Sequence, residues 1–109
     1  MAQAYKVLAQ SAPAATTNTD MYTVGAGLQV VASTVTICNR SASSATYRIA
    51  VRNGGAVLAN QHYIAYDATV AANDTIALTL GLTLQASDIV TIYCSSANLS
   101  VSIFGCEIT

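Results

Sequence analysis

The sequence predicts an all-β protein, built as an antiparallel sandwich of two sheets with about eight strands. Apolar and polar residues alternate with a period of two along most of the chain, as they do in half-buried strands. Turn-forming residues return every ~8–12 residues. The stretch most compatible with a helix, 56–60, is too short to be stable. This spacing is typical of sandwiches and small barrels, and a jelly roll is one form that fits it, although the pattern leaves the strand order open.

The N-terminal part of the chain contains two short strand candidates. The run 5–10 is the first, and 20–24 is the second, closed by glycines. The segment between them holds the only proline and many small polar residues, which are typical of a connection. We consider residues 1–19 as an N-terminal arm that pairs with the domain itself or with a neighbour.

A long β-branched strand candidate follows at 28–38. Its alternation is blurred at 30–31, where two valines are adjacent. This irregularity indicates either burial on both faces or a β-bulge near 32–33.

The most informative stretch is 35–55, VTICNRSASSATYRIAVRNGG. Two alternating runs flank a serine-rich connection at 39–45, which is typical of a half-buried antiparallel hairpin. On the second run, Arg48 and Arg52 share the outward side. With Arg40 in the connection, three of the four basic residues therefore lie in or beside the predicted hairpin.

The C-terminal half begins with a strong turn signal, Asn-Gly-Gly at 53–55. The clearest amphipathic strand follows later, at 76–80, and Gly81 interrupts it before two leucines resume the alternation. The strand candidates of this half are 62–66, 76–84, 89–94 and 99–108.

Length and composition restrict the class of protein. The 109 residues make a single domain, 1–109, of which only 8% are charged, against ~25% in ordinary globular chains. The net charge of −1 does not favour nucleic acid or an acidic membrane as a partner. We find no signal-peptide pattern and no apolar run of ~18 residues, so we expect a soluble protein made without a secretion signal.

So little charge also bears on self-association. A free monomer of this composition lacks the usual protection against edge-to-edge and patch-to-patch contact. We therefore expect much of the surface to be covered by copies of the chain or by a larger assembly. The alternative is an unusually neutral monomer that hydroxyl groups keep in solution.

No arrangement in the sequence predicts catalysis, a cofactor or a metal site. The three cysteines, Cys38, Cys94 and Cys106, have no CxxC spacing, and we expect reduced thiols, with one disulfide plus a free thiol as the alternative. His62 and Asp67 lie on opposite faces of a regular strand, and no GxSxG elbow is present. We therefore expect that the protein is not an enzyme.

Five residues are candidates for an interface with another protein. Four basic against five acidic residues do not make a basic domain, so the arginines favour planar contacts across protein surfaces. The tyrosines that fall in strand candidates either fill the core or, where exposed, anchor an interface. The interface candidates are Arg40, Arg48, Arg52, Tyr63 and Tyr93.

The chain resembles a family of small virion proteins of tailed bacteriophages. The resemblance depends on NRSASSATYRIAVRNGG at 39–55, LANQHYIAYD at 58–67 and DTIALTLGLTL at 74–84. The opening LAQSAPAATTNTDMYTV and the closing LSVSIFGCEIT also fit, so nearly the whole chain is covered. The resemblance implies a structural role in the virion, assembled in the host cytoplasm, and it transfers no catalytic residues.

Three functions are compatible with these observations. The first is a capsid decoration, or cement, protein, a homotrimer that binds the major capsid protein or other virion proteins on the outside of the head. The second is a tail or baseplate adaptor, or a fibre-associated module, with the same fold. The third is a carbohydrate-binding module that uses exposed tyrosines as stacking platforms.

Overall fold

A computed structural model describes residues 2–109, and it confirms the all-β, two-sheet sandwich. Eight strands are connected by short loops and two 3-10 turns, at Asn53–Gly55 and Asn60–His62. Within residues 2–109, no helix has the length and apolar character needed to span a membrane. The strands are β1 (Gln3–Ser11), β2 (Thr19–Thr23), β3 (Gln29–Asn39), β4 (Ala45–Arg52), β5 (Tyr63–Val70), β6 (Thr75–Gln85), β7 (Ile89–Cys94) and β8 (Leu99–Ile108).

The strand order, which the sequence left open, is that of a jelly roll. Sheet I has the order β1-β8-β3-β6, and sheet II has the order β2-β7-β4-β5, with every pairing antiparallel. Two four-stranded sheets wound in this way correspond to the eight-stranded jelly roll. Among the described strands, only β4 and β5 are neighbours both in sequence and in a sheet.

The predicted hairpin over 35–55 is wrong. β3 belongs to sheet I and β4 to sheet II, so the connection 40–44 crosses from one sheet to the other. The two strands bury Ile37 and Ile49 from opposite sides of the same core. A half-buried strand shows the same alternation whether its neighbour in sequence lies beside it or across the core, so the period alone could not distinguish these arrangements.

The crossing connection begins at Asn39, whose side chain is buried. Its Nδ2 donates to the carbonyl oxygens of Ser43 at 2.8 Å and Val70 at 3.3 Å, and its Oδ1 accepts from the backbone N–H of Ser41 at 3.0 Å. Because both the nitrogen and the oxygen of this buried amide are hydrogen-bonded, Asn39 stabilises the chain at the point where it passes from sheet I to sheet II.

Of the two alternatives offered by the blurred alternation of β3, burial on both faces or a bulge near 32–33, the structure has the bulge. The register of β3 shifts between Ala32 and Thr34 against both of its neighbours, β6 and β8. The Ser33 hydroxyl donates to the Phe104 carbonyl at 3.2 Å. On β6, the shift coincides with Gly81, which has a φ of +62°. The interruption that the sequence predicted at Gly81 is therefore a bulge, and β6 continues through it as one strand.

The core lies between the two sheets and consists mainly of aliphatic side chains from both, together with Tyr47 and Cys94. Each large side chain buried there contributes about 1.5–3 kcal/mol. Among the described residues, every buried side-chain nitrogen or oxygen has a hydrogen-bond partner. The largest fully buried side chains are Ile37, Ile49, Ile92, Leu99 and Ile103.

The segment considered as an N-terminal arm contributes a strand to the sandwich. β1 pairs with β8 at the edge of sheet I, from the pair of Gln3 with Ile108 to the pair of Ser11 with Val101. The connection that follows buries Pro13.

Candidate functional site

The outer face of sheet II brings together four of the five predicted interface residues. Arg48 and Arg52 project from β4, as the alternation predicted, and Tyr93 lies directly opposite Arg48 on β7. Tyr63 approaches from β5 on the other side of β4. Together with Tyr66, which sequence reasoning did not select, these residues form a surface that we call the tyrosine–arginine face.

Arg48 lies at the centre of this face, between two aromatic rings. Its guanidinium carbon is 4.2 Å from the ring centroid of Tyr66 and 4.3 Å from that of Tyr93, which is cation–π geometry on both sides. Its Nε donates to Asp67 Oδ1 at 2.7 Å and its Nη2 to Oδ2 at 3.3 Å. The hydrogen bond to Asp67 raises the pKa of Arg48 above its ordinary value, and the guanidinium is held in one orientation.

A β-bulge in β5 creates this arrangement. β4 pairs Tyr47 with Ala68 and Ile49 with Ala65, so Arg48 faces two residues of β5 instead of one. Those two residues are Tyr66 and Asp67, and Asp67 has a φ of +50°. The extra residue re-aims the side chains so that both reach the same arginine.

The exposed part of the face is aromatic. Tyr66 is 57% exposed, and its ring meets that of Tyr63 edge to face, with centroids 4.9 Å apart and an interplanar angle of 88°. Tyr63 and Tyr93 are half-buried. Tyr66 is therefore the member of the face most available to a partner.

Arg52 forms a polar network that joins three strands. Its Nη2 donates to Asp20 Oδ1 at 2.8 Å on β2, and its Nε donates to Thr91 Oγ1 at 3.1 Å on β7. The Thr91 hydroxyl in turn donates to Asp20 Oδ1 at 3.0 Å. The Arg52 side chain is only 15% exposed, so it stabilises the sheet beneath the face more than it presents a contact.

Arg40 lies apart from the other four candidates. It sits in the connection between β3 and β4, and its Nη2 donates to the Ala97 carbonyl at 3.1 Å, which ties this connection to the loop between β7 and β8. The structure thus assigns Arg40 to the loop end of the sandwich.

A second surface, absent from the sequence-based predictions, lies on the outer face of sheet I. A shallow apolar groove of about 680 Å³ runs beside β1, β8 and β3. Tyr5 and Val7 line it and are 81% and 46% exposed, while Phe104 forms part of its floor. The alternation of β1 is the sequence signal that could have indicated it.

His62 and Asp67, which belong to residue types that act as acids and bases in enzymes, are each bound to other groups of the fold. His62 is buried in the second 3-10 turn, ahead of the strand predicted to contain it, and its Nδ1 accepts the backbone N–H of Ala59 at 2.9 Å. The carboxylate of Asp67 is bound by Arg48. Within residues 2–109, no three His, Cys, Asp or Glu side chains are grouped so as to hold a metal.

The three cysteines are free thiols within strands. Cys94 and Cys106 are buried, and burial raises the pKa of the Cys94 thiol to about 11. The Cys94 side chain therefore stays protonated at neutral pH and packs as a small apolar group.

Searches of family models, curated proteins and solved structures find no match for this chain.

Proposed function

We propose that this chain is a structural protein of a tailed-phage virion, a capsid decoration (cement) protein that binds the outside of the head through its tyrosine–arginine face. The observation that carries the proposal is the gathering of Arg48, Tyr63, Tyr66 and Tyr93 on one outer sheet face. The resemblance of the sequence to small virion proteins of tailed phages supports a phage particle as the assembly to which the chain belongs.

The chemistry of the face suits a protein partner. Tyrosine and arginine are enriched among the residues that dominate binding energy at protein interfaces. The charge of Arg48 is already paired with Asp67, so docking would not leave an unpaired charge in the contact. The stacked rings are ordered before binding, which reduces the entropy lost on association.

The fold and the composition support the same role. Jelly rolls recur in viral capsid proteins, an analogy of fold that supports the proposal only together with the face. With 8% charged residues, many identical copies can lie close together on a shell without strong repulsion. Repeated attachment by symmetry then stabilises the shell although each contact is modest.

The carbohydrate-binding alternative has less support. Arg48 covers one ring face of both Tyr66 and Tyr93. The rings of Tyr63 and Tyr66 are perpendicular and do not form a flat platform on which a sugar could stack.

The location of the chain in the particle tests the proposal against the tail alternative. Heads and tails of the phage that encodes the chain would be separated and analysed by quantitative mass spectrometry. We expect many copies in the head fraction. Recovery with tails alone would contradict the decoration role and favour an adaptor or fibre-associated module.

Binding to heads that lack the chain tests the face itself. We expect Tyr66→Ser to weaken attachment by about tenfold or more, the effect typical of a central interface tyrosine. Thr79→Ser, at an exposed position of sheet I, is the matched control and should bind like the wild type. Equal attachment of the Tyr66→Ser and control variants would show that another surface makes the contact. Arg52 is unsuitable for this test because its removal disturbs the network that joins β2, β4 and β7.

A further inference from the structure

β1 presents an open edge at one side of sheet I. It pairs with β8 on one side, and no other strand among the described residues pairs with its second side. Just beyond the ends of the two strands, the Ala2 carbonyl accepts the Thr109 N–H at 2.9 Å, so the backbone groups of Ala2 point toward β8. In antiparallel pairing the residues alternate in direction, so Ala4 and Lys6 also bond to β8.

The alternation leaves Gln3, Tyr5 and Val7 with backbone N–H and C=O groups that point away from the sheet. Two of these residues are also the exposed apolar side chains that line the groove on sheet I. Free backbone groups and exposed apolar side chains therefore coincide on the same short segment, 3–7. An edge of this kind is a template for another strand.

The other three edges carry features that oppose pairing. β2 has only five residues, and its register breaks between Asp20 and Tyr22. β5 is bent by Asp67, with a φ of +50°, and β6 by Gly81, with a φ of +62°. Short edges and bulges are common protections against edge-to-edge association. The register of β1 also shifts, between Val7 and Ala9, but this shift lies beyond the segment 3–7, whose own register is unbroken.

The charge of Lys6 does not protect this edge. Its backbone groups face β8, and its ammonium group binds Glu107 at 2.6 Å. The remaining residues of 3–7 are uncharged.

We propose that β1 pairs in antiparallel fashion with β1 of a second copy of this chain, about a two-fold axis at Tyr5. In this register Tyr5 faces Tyr5 of the second copy, Gln3 faces its Val7, and Val7 faces its Gln3. The backbone groups of all these residues are free, so the three pairs can form about six main-chain hydrogen bonds. The free backbone groups of 3–7 are thus arranged symmetrically about Tyr5, and the three residues that carry them are uncharged, so two copies can pair without a contact between like charges. This is the reason for choosing a second copy as the occupant.

The resulting dimer joins the two copies of sheet I into one eight-stranded sheet. The two-fold axis is perpendicular to the sheet, so the two grooves adjoin on the same side and bring Tyr5 and Val7 of both copies together. The tyrosine–arginine face belongs to sheet II and stays free. The dimer is a different assembly from the homotrimer expected of a decoration protein. It goes beyond the proposed attachment to a head and can be tested without a phage particle.

The test measures mass and amide exchange of the purified full-length chain over a range of concentrations. By analytical ultracentrifugation we expect the mass to rise from one chain to two. By NMR we expect the amides of Tyr5 and Val7 to become protected from hydrogen exchange with the same concentration dependence, whereas Ala4 and Lys6 are protected throughout.

Tyr5→Lys places two like charges opposite each other at the two-fold axis and should abolish the dimer. Ile64→Lys, a change at an exposed apolar residue on the edge strand β5, is the matched control and should dimerise like the wild type. Circular dichroism and thermal unfolding establish that both variants are folded.

Three results would overturn the proposal. The first is a single chain at every concentration up to the millimolar range. The second is an oligomer, including a trimer, whose mass survives Tyr5→Lys and whose Tyr5 and Val7 amides exchange freely. The third is protection of these amides only when heads are added, because the edge would then bind a strand of a shell protein instead.

Discussion

At the scale of single residues, Gly105 is the glycine that leaves the least room for a side chain. It lies on β8 opposite Ala32, at the bulge of β3. A Cβ atom added there would lie 2.1 Å from the Val31 carbonyl oxygen and 2.9 Å from the Ala32 Cα. Both are backbone atoms of a central strand, so the clash cannot be relieved by turning a side chain.

We therefore expect Gly105→Ala to lower the free energy of unfolding by about 1–3 kcal/mol, the range of overpacked cores. Urea unfolding followed by circular dichroism measures the change. Gly25→Ala is the matched control, because its Cβ would meet only the Leu28 side chain, at an ordinary distance of 3.4 Å. A Gly105 variant as stable as the Gly25 variant would disprove the close approach.

Glu107 gives the sandwich a dependence on acid pH. The Lys6 ammonium and then the Tyr22 hydroxyl, which donates at 2.8 Å, hold the pKa of this carboxyl below its usual range. A carboxyl whose pKa is lower in the folded than in the unfolded state contributes stability above its unfolded pKa of about 4.3, and this contribution is lost as the pH falls.

We expect Glu107→Gln to be less stable than the wild type at pH 7, and the difference to shrink as the pH drops below about 4. Thermal unfolding of both proteins between pH 7 and pH 2 measures it. If the difference between the two proteins were the same across this range, Glu107 would not be the group responsible.

At the scale of elements, β-bulges decide where side chains point. Deletion of Ser33 would make the pairing of β3 with β8 continuous, because Ser33 is the residue of β3 that has no partner there. Against β6 it would leave both Leu80 and Gly81 opposite no residue of β3, so β3 could not keep its register with both neighbours at once. We expect this deletion to destabilise the fold by several times the ~1 kcal/mol of a typical substitution, or to prevent folding.

Ser33→Ala is the matched control for this deletion. It preserves the residue count and loses only the exposed hydrogen bond to Phe104, so it should cost about 1 kcal/mol or less. Thermal unfolding of the two variants measures the difference. Similar melting temperatures would mean that the register does not depend on the bulge.

The strands were predictable from the sequence, whereas their pairing was not. The period of two identified the strands, and the blurred alternation of β3 offered a bulge near 32–33 as one of two alternatives, because both signals are local. The pairing of β3 with β4 was predicted wrongly, since nearness in sequence favours a hairpin but does not require one. The bulge at Asp67 carries no glycine and no break in alternation, so the partner of Arg48 was missed.

At the scale of the whole molecule, the topology brings distant parts of the chain together. β1 pairs with β8, β2 with β7 and β3 with β6, while β4 and β5 form the one pairing of consecutive strands among those described. Loop-closure entropy must be lost before such distant contacts form. Although the chain is short, its contacts therefore join residues that are far apart in sequence, which gives a high contact order and is typical of slow folding.

We expect refolding from denaturant to take on the order of milliseconds to seconds, as in other β-sandwiches. Stopped-flow fluorescence of the six tyrosines measures this rate. Refolding within microseconds would show that local contacts dominate the transition state and would contradict the expectation.

The sequence by itself determined the fold class, the approximate strands, the low charge and the outward direction of Arg48 and Arg52, because each depends on residues close together in the chain. The tertiary structure decided the strand order, the membership of β3 and β4 in different sheets, and the contacts of Arg48 with Tyr66, Tyr93 and Asp67. It also decided which edge is open. These features depend on pairings between distant segments, and the same alternation is compatible with many such pairings.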